Sequence, residues 1–216
     1  MSSHGKEFDE FKAKHPKLHE ALLGDGKSLT DQLLIASLYV MGFECLKDFI
    51  EDSFDSFFSN GFTVKNGKLV YTKSQSYAPT RDKYLKRYKE LSKSLMGVGS
   101  NRVGTFHAAC AWFHDMEAFD NNDLILIIGG IHYRNNFAHE LYRWVVDDKL
   151  PSLDRHFINA PLNLFFKISN WWICNVEAGI APEDYERFSD DEMRGATSLN
   201  VHLLQAIADK VLPAAK

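Results

Sequence analysis

The sequence predicts an all-α protein, a helical bundle carrying one small β-hairpin near residues 62–72. Three observations carry that prediction. Apolar residues recur every three to four positions along most of the chain, the spacing that gives a helix one apolar face. The chain has 216 residues, 45% hydrophobic and 13% aromatic, which suits one packed domain spanning 1–216. The period changes where Asn66-Gly67 separates two β-prone runs, a strong hairpin signal.

The elements follow in order. An N-terminal helix is expected over residues 7–23, stopped by Gly24-Asp25-Gly26. A long helix is expected over 30–59, with Ser28 or Thr30 as its N-cap. Its apolar positions are Leu34, Leu38, Met41, Cys45, Phe49 and Ile50, and Glu44, Lys47, Asp48, Glu51, Asp52 and Asp55 form the opposite, solvated side. After the hairpin, 73–79 reads as a link. A basic helix is expected over 80–95, with Tyr84, Leu85, Tyr88, Leu91 and Leu95 as its buried stripe. Residues 96–104 contain three glycines but match no nucleotide-binding glycine pattern, and read as a loop or helix start. Further helices are expected over 105–119, 123–146 and 154–178, with shorter ones over 182–188 and 199–212. Phe165-Phe166 and Trp171-Trp172 are core candidates.

Composition excludes several classes of function. No apolar run reaches the roughly eighteen residues that a membrane helix needs. No apolar leader follows Met1, so a cytoplasmic protein is the expectation. Cys45, Cys110 and Cys174 are odd in number and lie among apolar neighbours, as buried reduced thiols do. A net charge of −4 and a pI near 6.1 argue against a general nucleic-acid coat protein. A nucleic-acid-facing surface must therefore be local, and Lys83, Lys86 and Arg87 on the basic helix are the candidates for following an RNA backbone. His107 and His114 fall on one helix face near Asp115 and Glu117, but they lack a third ligand at metal-site spacing, so no metal or other cofactor is expected.

The most informative stretch is Arg134-Asn135-Asn136-Phe137-Ala138-His139. It places a permanent cation, two amides and an imidazole within a largely apolar helix, where such groups are costly without partners or a task. Arginine holds phosphate by two parallel hydrogen bonds, and histidine moves protons near neutral pH. Leu124, Ile128, Ile131, Asn135, Ala138, Tyr142 and Val145 lie along one stripe, bordered by Arg134. Arg134 and His139 stand about 140° apart around an ideal helix, so they do not share one face. A distorted helix, an arginine side chain bent round the helix, or a second copy of the chain would unite them. Gly129-Gly130 is a candidate bend.

The pattern Arg-Asn-x-x-x-His resembles the signature of the HEPN superfamily, helical proteins of which many are metal-independent RNA-cutting toxins. The resemblance covers these six residues firmly and the surrounding helix by pattern. It implies a HEPN-type bundle with its core over 29–178 and the terminal helices as appendages. It further implies a homodimer with paired Arg–His sets lining a cleft. Carried over, Arg134 binds the scissile phosphate, His139 is general base or acid, and Asn135 orients one or the other. His132, Asn136 and Tyr142 are candidates to line the same cleft. The implied activity is an endoribonuclease driven by 2′-hydroxyl attack, in a toxin or antiviral defence role, with RNA as substrate and an antitoxin or regulatory protein as partner. The alternative is a non-catalytic helical dimer module that binds RNA or a protein.

Overall fold

The computed structural model describes residues 3–24, 27–66, 68–97, 103–151, 153 and 155–211. It is helical apart from one antiparallel hairpin. The helices are α1 (Ser3–Lys14), α2 (Pro16–Leu23), α3 (Lys27–Phe57), α4 (Tyr77–Met96), α5 (Thr105–Asp115), α6 (Asn121–Val146) and α7 (Arg155–Trp172). A π-helical turn, Ile173–Glu177, leads into the short α8 (Ala178–Ile180), α9 (Pro182–Tyr185) and α10 (Asp190–Gly195) and then α11 (Leu199–Val211). The strands are β1 (Ser59–Lys65) and β2 (Lys68–Lys73). Two units emerge: Met1–Phe43, Gly130–Leu162 and Leu203–Lys216 form the first, and Glu44–Gly129 with Asn163–His202 the second. No helix among the described residues is long and apolar enough to cross a membrane.

In the first unit, the single expected N-terminal helix is two. Pro16 disfavours helical backbone at the residue before it, and His15 sits at φ −137°, ψ 61°. Asp148 Oδ1 accepts from the Lys17 N–H at 2.9 Å, a carboxylate at the positive end of α2. Lys17 Nζ donates to Leu150 O at 2.6 Å and Trp144 O at 3.4 Å, serving carbonyls at and beyond the end of α6. Gln32 makes paired bonds to the Leu153 backbone, 3.0 Å to its carbonyl and 2.8 Å from its N–H. The core is built from Ile35, Leu38, Tyr39, Phe43, Phe137, Trp144, Ile158, Leu162 and Leu204.

α3 begins at Lys27, so Ser28 and Thr30 lie inside it and neither is the N-cap. Asp25 and Gly26 lie outside the described residues. Met41 is exposed, and Phe43, Leu46 and Phe54 carry the burial in its place.

In the second unit, the middle of α5 is buried on every side, over residues 108–113. Its N-terminus is served by α3, since Glu51 Oε1 accepts from the Phe106 N–H at 2.9 Å. The acidic side of α3 is thus partly spent on structure. Asp55 accepts the Tyr77 hydroxyl at 2.6 Å and pairs with Lys73. α4 starts at Tyr77, inside the expected link, because Tyr77 is buried and Pro79 occupies the first turn, where its missing N–H breaks no helical bond. Of its expected stripe, Tyr88 and Leu91 are buried, and Tyr84, Leu85 and Leu95 are half-buried. α5 stops at Asp115, with Glu117 in the left-handed region at φ 61°. Phe54, Phe58 and Trp112 pack ring against ring, 4.9 to 5.7 Å apart. Phe165 and Trp172 are buried and Phe166 is exposed.

The hairpin pairs Phe62 with Tyr71 and Val64 with Leu69. Asn66 takes φ 52°, as an Asn-Gly turn demands, and Gly67 lies outside the described residues. So do residues 98–102 of the glycine-containing loop, and Asp154 and Leu212 at two expected helix ends. α10 was not expected, and it is closed by a capping box in which Ser189 and Glu192 each bond the other's backbone N–H.

Candidate functional site

The six-residue motif lies in the second half of α6, within the first unit. Its anchor is Phe137, only 3% exposed, whose ring lies 5.1 Å from Tyr39, 5.0 Å from Trp144 and 6.4 Å from Phe157. Buried aromatics of this size dominate the orientation of the helix that carries them. Within the first unit the core-facing line therefore runs through Gly130, Phe137 and Trp144. The stripe through Asn135, Ala138 and Tyr142 faces outward instead, and Tyr142 is 67% exposed.

That orientation sorts the motif. His132, Asn135 and His139 are exposed and follow one another at spacings of three and four, hence on one face. Asn136, half-buried, joins them through its amide, which donates to His132 Nε2 at 3.0 Å. Arg134 is half-buried on the flank. Its Nη1 donates to Asn135 Oδ1 at 3.0 Å, which draws the guanidinium toward the exposed face. Of the three ways of uniting Arg134 with His139, the structure bends the arginine side chain as far as Asn135.

Gly129-Gly130 does not bend α6. The irregularity falls at Glu140, φ −129° and ψ 24°, directly after His139. Glu140 accepts from Arg143 Nη1 at 2.5 Å across the break. Gly130 has another use: a Cβ there would stand 2.5 Å from the Phe43 ring, so the glycine permits close packing of α6 on α3. Tyr39, whose hydroxyl donates to Gly130 O at 3.5 Å, has its pKa pushed up by burial and then by Tyr133.

Lys83, Lys86 and Arg87 stand on α4 in the second unit. Lys83 lies 4.9 Å from the Tyr84 ring centre and Arg87 pairs with Asp115 at 3.1 Å, while Lys86 is exposed. His107 and His114 are committed locally. His107 Nδ1 accepts from the Gly104 N–H at 3.0 Å, and His114 Nε2 lies 3.0 Å from Asn121 Oδ1. Among the described residues, no group of three or more His, Cys, Asp or Glu is arranged to hold a metal ion. Cys110 is wholly buried, and burial pushes its thiol well above its usual range.

Two residues that position the motif had no assigned part in the sequence reading. Phe137 was legible as a large aromatic in the middle of the motif, and Trp144 follows seven residues later on the same face. The break at Glu140 has no proline or glycine to announce it. No protein-family model, curated protein sequence or solved structure matches the chain.

Proposed function

We propose that the chain is a metal-independent endoribonuclease of the HEPN type, working as a homodimer. The observation that carries this reading is the Arg134–Asn135 bond, which draws a permanent cation toward the face that exposes His139. A guanidinium there is suited to stabilise charge growing on phosphorus, and an imidazole on the exposed face is accessible to an RNA strand. The step balances within RNA itself. The 2′-oxygen attacks phosphorus, its proton passes to a base, the P–O5′ bond breaks, and the 5′-oxygen takes up a proton. The products are a 2′,3′-cyclic phosphate and a 5′-hydroxyl. His139 serves as base or acid, and the partner copy supplies the second imidazole. A toxin or defence role, restrained by an antitoxin or regulatory protein, fits a nuclease of this kind.

The test is RNA cleavage by the purified chain, with product ends analysed, alongside growth on expression. His139→Ala is expected to lower cleavage by about 100-fold or more and relieve toxicity. Its unfolding midpoint should hold, since the side chain is exposed. Cleavage should survive chelators. Equal RNA degradation and equal toxicity of wild type and His139→Ala would remove the reading.

The same bond favours a second reading. With its guanidinium engaged by a neighbouring amide, Arg134 is also suited to hold an interface in a non-catalytic dimer that binds RNA or a protein. That reading expects His139→Gln to be tolerated and Arg134→Ala to lower the solution mass toward that of one chain.

A further inference from the structure

A cavity of about 390 Å³ opens in the second unit, lined by residues between Ile173 and His202. Its volume is that of a small-molecule site. The walls combine apolar and aromatic surface from Ile173, Tyr185, Phe188 and Met193 with the carboxylate of Glu192 and the imidazole of His202.

Ile173, which lines the cavity, opens the π-helical turn Ile173–Glu177. Such turns place an extra residue in one helical turn and occur frequently at functional sites. Glu177, at the end of the turn, accepts from Trp172 Nε1 at 3.0 Å and from the Tyr185 hydroxyl at 3.1 Å. The wall residue Tyr185 is thereby tied to the turn.

Charge selects the ligand. Between residues 177 and 194 stand seven carboxylates, Glu177, Glu183, Asp184, Glu186, Asp190, Asp191 and Glu192, against Arg187 and Arg194. That local excess is larger than the net charge of −4 on the whole chain, and the carboxylate residue that lines the cavity is Glu192. The Ser189 N–H and hydroxyl both donate to Glu192 Oε2, at 2.9 and 2.8 Å, and hold its carboxyl below the usual range. The Phe188 ring already receives one cation, Arg187, 5.0 Å from its centre.

We propose that this cavity binds a small organic cation, an amine or guanidine carried on an apolar or aromatic body. The cationic head meets the Glu192 carboxylate, and the body lies against Phe188, Tyr185 and Met193.

The experiment is isothermal titration calorimetry on the full chain with phenethylamine and with 3-phenylpropionate, which share a ring and differ in the sign of charge. Phenethylamine is expected to bind saturably, and 3-phenylpropionate about tenfold more weakly or not at all. Glu192→Gln should weaken phenethylamine by about tenfold, because it removes the charge yet keeps an oxygen for the Ser189 N–H and so preserves the cap. Phe188→Leu, which keeps bulk and removes the ring, is the second variant and should weaken binding several-fold. Thermal midpoints of both variants check that they fold. The proposal is overturned if wild type does not bind phenethylamine, if the carboxylate binds as tightly, or if both folded variants bind phenethylamine as wild type does.

Discussion

The imidazole of His107 accepts the Gly104 N–H on Nδ1 and meets the Tyr88 ring edge-on at 4.8 Å. Burial, and after it the charge of Lys47, lowers its pKa from 6.5. The sign of the consequence follows from linkage. Above pH 6.5 the ring is neutral in both folded and unfolded chains, and its contribution is fully present. As pH falls through 6.5 the unfolded chain takes up a proton that the folded chain resists, so stability is lost until the folded pKa is reached. His107→Gln keeps an acceptor three residues from Gly104 and removes the titration. Its urea midpoint should therefore vary less than that of wild type between about pH 7 and about pH 5. Parallel curves for the two proteins would refute this account. At this scale the motif letters were legible and their orientation was not. Two adjacent faces of α6 are both apolar enough to bury, and the bulk of Phe137 and Trp144, rather than the count of apolar residues, decides which does.

Neighbouring glycines in α6 have opposite fates. A Cβ at Gly130 would meet the Phe43 ring at 2.5 and 3.1 Å and the Tyr39 hydroxyl at 3.3 Å, whereas nothing lies within 4 Å of a Cβ at Gly129. Helix propensity alone predicts that alanine stabilises both positions by roughly 0.5–1 kcal/mol. Gly129→Ala should show that gain. Gly130→Ala should instead lose about 1–3 kcal/mol, since overpacking against a buried ring outweighs propensity. Denaturant midpoints of the two variants separate the effects, and a stabilising Gly130→Ala would show that the α3 side of this contact yields. The same contrast explains which elements were readable. The hairpin announces itself through Asn66-Gly67, and α3, α4 and α6 through their periods. α10 has a Ser-x-x-Glu cap but only six residues and no apolar stripe, so periodicity passes over it. The division between α1 and α2 was written in Pro16, a local veto that an apolar period does not register.

The chain crosses between its two units at 43/44, 129/130, 162/163 and 202/203. Each crossing falls inside a helix: α3, α6, α7 and α11 respectively. Independent domains are usually joined by exposed linkers with few contacts. Unfolding one unit here while keeping the other would end four helices in mid-run and strand the backbone donors and acceptors at each break. The thermodynamic expectation is one cooperative transition. Tryptophan placement supplies the measurement, since Trp144 belongs to the first unit and Trp112, Trp171 and Trp172 to the second. Far-ultraviolet circular dichroism, fluorescence of wild type and fluorescence of Trp144→Phe should trace the same urea curve once each protein's own midpoint is allowed for. Phe54→Ala, which removes a fully buried ring from the second unit, should cost about 3–5 kcal/mol. If the units are coupled, it shifts the fluorescence transition of Trp144, measured with the other three tryptophans replaced by phenylalanine in both proteins compared, as far as it shifts the dichroism. A Trp144 transition left in place by Phe54→Ala would mean that the four shared helices break at the crossings, and that the unit carrying Arg134 and His139 stands without its neighbour.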